Sequence, residues 1–141
     1  MKHAHLFIMD FCHQCLAECT VSPHFVMFDE SGLAIGHATL SRKHAELLVE
    51  NLQMIVRGRK PQRFAAKCLP HEASQGDLPI RLATHLELRK CTGRICTGAR
   101  FIFIDKKGPF AEAHPGKIDW IITDLQNKFS RDLIGATRGT A

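Results

Sequence analysis

Tyrosine is absent from the chain and tryptophan occurs once, so aromatic residues make up only 7% of its 141 positions. Unpaired bases stack on aromatic rings, and most of the phenylalanines here sit inside apolar runs, so the sequence offers few such platforms. No apolar run approaches the ~20 residues of a membrane helix. In Met1–Asp10 the apolar stretch is limited to Leu6-Phe7-Ile8-Met9, short of the about 7–15 residues of a secretory h-region. There is no G-x-G-x-x-G, no Walker loop, no G-x-S-x-G elbow and no H-x-x-x-H on an expected helix. The usual sequence grounds for dinucleotide, P-loop or serine-hydrolase chemistry are therefore missing. With 45% hydrophobic and 23% charged residues, disorder and collagen-like repetition are excluded as well.

What is present begins with charge. The net charge of +5 is unevenly spread. Residues 1–56 hold three Lys/Arg against six Asp/Glu, residues 57–100 ten against three, and residues 101–141 six against five. The excess belongs to the middle third, which points to a phosphate-bearing partner or to a solvated face that confers solubility. Six cysteines without an export signal suit a reducing, cytoplasmic setting, where they serve as thiols or metal ligands. The length suits one domain over 1–141.

The chain also echoes itself. Phe25-Val26-Met27-Phe28-Asp29-Glu30-Ser31-Gly32 is matched 76 residues later by Phe101-Ile102-Phe103-Ile104-Asp105-Lys106-Lys107-Gly108. Each reads as a strand closed by an acidic residue and a glycine turn, with second arms at Leu33–Thr39 and Phe110–His114. A helix signal follows each arm. Ser41 is the expected N-cap of the first, whose apolar stripe is Ala45, Leu48, Val49, Leu52 and Ile55. The second is expected to open near Pro115 and carries Ile118, Ile121, Ile122, Leu125 and Phe129. Arg63–Leu69 and Ile80–Arg89 alternate as half-buried strands, with Pro70–Pro79 as a loop between them. The first unit gains strands if Leu6–Phe11 and a piece near Cys19–Val21 join its hairpin. The expected class is α+β: duplicated strand-hairpin-helix units in a mainly antiparallel sheet carrying two amphipathic helices. The halves are about 1–58 and 59–134, with a frayed tail at 135–141.

Four patterns carry chemistry. Cys15/Cys19 and Cys91/Cys96 hold comparable places in the two units, and two thiol pairs are what a tetrahedral zinc site needs, although the spacings depart from two intervening residues. Leu6–Phe11 followed by Cys12-His13-Gln14-Cys15 resembles the strand-then-C-x-x-C order of the thioredoxin family, but Pro23 follows too soon for the intervening helix and strand. His44-Ala45-Glu46 resembles the H-A-E of zinc-dependent nucleoside deaminases, without their Pro-Cys-x-x-Cys. Arg59-Lys60-Pro61-Gln62-Arg63 resembles the R-x-x-x-R of PilZ cyclic-dinucleotide receptors, without its companion motif.

The reading that uses most of these features is a small binding protein with a basic sheet face. Arg63, Lys67, Arg81 and Arg89 would line that face, flanked by Arg57, Arg59 and Lys60, with Lys90 at its end. Such a face tracks the phosphates of a nucleic acid or another polyanion without reading its sequence. Two four-strand-plus-helix units are similar, in architecture only, to the PUR-repeat and Whirly families of single-strand binders. Two alternatives stand beside it. One is a thiol- or zinc-centred protein or enzyme using Cys12–Cys19 and Cys91–Cys96, and the other is a non-catalytic interaction module or homodimer. No membrane partner and no cofactor other than zinc is expected.

Overall fold

Sequence-local turns set up the sheet. In the computed structural model, residues 2–9, 23–59, 63–70, 74–75, 78–90, 99–115 and 118–139 are described. Strands β2 (His24–Phe28) and β3 (Ala34–Thr39) form a hairpin. The Asp29 carboxylate closes its turn, accepting from the Ser31 N–H at 2.9 Å and the Leu33 N–H at 3.0 Å, while Gly32 supplies φ 85°. The hairpin of β8 (Ala99–Asp105) and β9 (Gly108–Ala113) is built alike, with Asp105 accepting from the Lys107 N–H at 2.9 Å. Both acid-plus-glycine turns lie where the sequence places them.

Strand β1 (Lys2–Met9) pairs antiparallel with β2 on one side and parallel with β9 on the other. Strand β7 (His85–Lys90) lies between β8 and β4 (Phe64–Lys67). The seven-stranded order is β3-β2-β1-β9-β8-β7-β4. Two-residue strands β5 (Ser74–Gln75) and β6 (Leu78–Pro79) form a separate ribbon inside the stretch expected to be loop.

The sheet curls until its ends meet. His37 donates its N–H to the Arg81 carbonyl at 3.0 Å and accepts from Ala83 at 2.8 Å, and Leu69 donates to the Thr39 carbonyl at 2.8 Å. On the concave side a Cβ built on Gly36 of β3 would lie 2.7 Å from the Phe103 ring of β8, so only glycine fits there without displacement. The rest of the concave side is filled by helices α1 (Arg42–Val56) and α2 (Asp119–Gly139), which contact each other. Their apolar stripes and the inward strand residues, among them Phe25, Phe64, Leu86 and Phe101, form one hydrophobic core.

Ser41 caps α1, its hydroxyl accepting from the His44 N–H at 3.2 Å, and Gly58 (φ 73°) ends it. Several boundaries differ from expectation, the first strand among them, since it starts at Lys2 and not at Leu6. The second helix begins at Asp119, beyond Pro115, and runs to Gly139. Strand β4 stops at Lys67. Strand β7 begins at His85 because the backbone bends at Thr84, which binds the Ile104 carbonyl through both its N–H (2.8 Å) and hydroxyl (3.1 Å). Among the described residues no helix is long and apolar enough to cross a membrane.

Candidate functional site

Because side chains alternate across a strand, the residues between the core positions face outward as a set. On β4, β7 and β8 that set holds Lys67, then His85, Glu87 and Arg89, then Arg100 and Ile102. Registers place them in rows. Ala65, Glu87, Ile102, Glu112 and His3 stand side by side across five neighbouring strands. The adjacent row is basic: Arg89 is directly opposite Arg100, and Arg63, one residue before Phe64, comes next to Arg89. Carried one position past Ala113 and Ala4, the same row reaches His114 and His5.

Directly opposed like charges on a sheet repel, and two carboxylates in the neighbouring row offset this. Glu87 accepts from the Arg89 Nε at 2.5 Å, and Glu112 accepts from the Arg100 Nε. The glutamate side chains are nearly covered, at 10% and 8% exposure, whereas the arginines show 56% and 30%. Both glutamate contacts use Nε, so the terminal guanidinium nitrogens remain to donate to a ligand. Arg63 makes no ion pair with a described residue and is exposed. Burial acts to raise the Glu112 carboxyl. The Arg100 hydrogen bond and charge, with the charges of His3 and His114, outweigh that and hold it below its ordinary value.

Glu112 also has histidines on two sides. His3 Nδ1 lies 3.1 Å from its Oε1 and His114 Nε2 lies 3.8 Å from its Oε2. One ligand atom from each of the three falls within 4.8 Å of the others. Further along β1, Phe7 projects outward with 52% exposure and meets Phe28 edge-on at 5.3 Å between ring centres. With His5, Ile8, Asp29, Glu30 and Gly32 they line a groove of about 480 Å³.

The structure brings Arg63, Lys67 and Arg89 onto this face, as the alternation implies. Arg81 departs from it. The bend at Thr84 breaks the two-residue period, so Ala83 turns into the core and Arg81 leaves the phase of Arg89. Its Nε donates to Asp105 at 2.5 Å and its guanidinium lies 4.2 Å from the Phe110 ring centre. The Arg81 hydrogen bond holds the Asp105 carboxyl below its ordinary range. Arg57 caps the C-terminus of α1 and Arg59 follows it, both exposed in the connection toward β4 and off the sheet face. Lys90 ends β7 opposite Ala99.

Lys60 and the cysteines 12, 15, 19, 91 and 96 lie outside the described residues. Cys68 is buried in the core, where desolvation pushes its thiol up to about 12 and leaves it protonated and unreactive. Beside β3, the buried rings of His24 and His37 stack at 5.1 Å with a 2.9 Å Nδ1–Nε2 contact, and Thr39 Oγ1 lies 3.1 Å from His24 Nδ1.

Sequence reasoning omitted His3, Arg100, Glu112, His114 and Phe7 from the site. A usable signal existed: His3-Ala4-His5 and Glu112-Ala113-His114 place ligand-type residues at i, i+2, which is one face of a strand. Comparison with family models, curated proteins and solved structures returns no match. The architectural similarity to PUR-repeat and Whirly proteins expected from the sequence finds no support in these comparisons, and the functional reading rests on the geometry of the site.

Proposed function

We propose that the outward sheet face binds a single-stranded nucleic acid. The observation that carries this reading is the run of Arg63, Arg89 and Arg100 on neighbouring strands of one face. Phosphates are contacted by such guanidinium groups, whose forked donors match their oxygens. Lys67 adds a further cation on the same face. Phe7 and Phe28 supply at the end of the row the ring surface that composition alone makes scarce. A base laid against Phe7 would leave its backbone leading toward His5 and the arginines. Contacts of this kind fix affinity more than sequence preference.

The test is fluorescence anisotropy with labelled single- and double-stranded oligonucleotides over a salt series. Three or four phosphate contacts predict a log–log slope of roughly −2 to −3 for the single strand. Arg63→Glu should weaken binding and flatten that slope. Phe7→Ala should weaken the single strand while leaving the duplex unaffected. Absence of binding at low salt, or indifference to Arg63→Glu, would overturn the reading.

The same proposal includes an origin by duplication of halves at about 1–58 and 59–134, within which β1 through α1 correspond to β7 through α2. Two parallel contacts support it: β1 lies beside β9, and His37 of β3 bridges Leu82 just ahead of β7. Exchanging the units maps one contact onto the other.

A further inference from the structure

From the cluster on β1 and β9 we infer that His3, Glu112 and His114 form a binding site for a divalent transition-metal ion, zinc by the chemistry of the donors. Two imidazoles and a carboxylate are a recurring three-residue zinc set, one that leaves a position for water or a ligand. The parallel register delivers the set. His3 is the direct partner of Glu112, and His114 is the next residue of the same phase, just beyond the end of β9 at Ala113. Ligand atoms about 2.0–2.2 Å from a zinc ion lie some 3–4 Å from one another. The 3.1 Å between His3 Nδ1 and Glu112 Oε1 is of that size, and one ligand atom of each of the three residues lies within 4.8 Å of the others.

The surroundings favour a metal over a simple ion-pair cluster in two respects. Glu112 is buried at its base and held from the far side, since Arg100 occupies Oε2 while Oε1 faces His3. A carboxylate fixed in this way presents one oxygen in a set direction, which is how an outer partner orients a metal ligand. The exposure gradient runs the right way too, from 8% at Glu112 through 32% at His114 to 74% at His3. The ion would enter from solvent on the His3 side and keep its remaining coordination there. His5 follows along the same face of β1, next to His114 in the extended register.

The site borders the proposed nucleic-acid face through the Arg100–Glu112 contact but does not need that ligand, and it is tested without oligonucleotide. Reduced, chelator-treated full-length protein is titrated with Co²⁺ and followed by visible absorption, and with Zn²⁺ in competition with a chromophoric chelator. One equivalent is expected, with weak d–d bands and no thiolate charge-transfer band, which sets this site apart from the cysteines. His3→Ala, at an exposed position that folding tolerates, should weaken zinc more than the roughly 10-fold cost of losing an outer partner. Glu112→Gln and His114→Ala should abolish the d–d bands. Zinc bound with unchanged affinity by His3→Ala, a cobalt spectrum dominated by thiolate bands, or no binding to the wild-type protein would each overturn the inference. Should Glu112→Gln fail to fold, protection of His3 and His114 from carbethoxylation by zinc in the wild-type protein decides the matter.

Discussion

Gly36 shows how one missing side chain shapes the molecule. Its position on the concave side touches the rings of Phe103 and Phe110, and Phe103 is fully buried with nowhere to retreat. Gly36→Ala should therefore lower stability by about 1–3 kcal/mol, the range for overpacking a dense core, measured by urea denaturation. An unchanged midpoint would show that the aromatic rings rearrange freely. Asp105 governs a different property. Its carboxyl is held below its ordinary value of 3.8 chiefly by the Arg81 hydrogen bond. A depressed folded-state value means that the stabilisation is fully present above the unfolded value and lost as pH falls through the folded one. Wild-type protein should thus exceed Asp105→Asn in thermal stability at pH 6, and the gap should close progressively below pH 3.8. A gap that is constant with pH would assign the effect to something other than this charge.

At the scale of elements, the helices depend on signals close in sequence. Replacing Ser41 with Ala should destabilise the fold by about 1 kcal/mol, whereas Ser41→Gly should cost only a few tenths. Equal losses in the two variants would mean that the Ser41–His44 contact is not what starts α1. Local signals of this type are why the turns at Asp29 and Asp105, the Ser41 cap and both helical stripes can be read from the residues. Alternation likewise places Lys67 of β4, and Arg63 just before it, on the outward side. It fails at Arg81, because the bend that Thr84 makes to reach Ile104 comes from a distant strand. The His3–Glu112–His114 group was hidden for the same reason. Each half is an ordinary i, i+2 pair, and only the parallel register of β1 with β9 gives the two halves a common meaning.

For the molecule as a whole, the basic middle third resolves into separate places. Arg63, Lys67, Arg89 and Arg100 share the outward face, Arg81 secures the closure of the sheet, and Arg57 and Arg59 belong to the end of a helix. Composition counts these residues together although the fold gives them different work. The position of β1 has a further implication for biosynthesis. Strand β1 leaves the ribosome more than a hundred residues ahead of β9, the strand that completes one of its sides. At translation speeds of about 5–20 residues per second, that side waits on the order of 5–20 s with its backbone groups unpaired. Through that interval the nascent chain carries an open strand edge of the kind that invites intermolecular pairing, so its yield should depend on how well the cell shields it before β9 arrives.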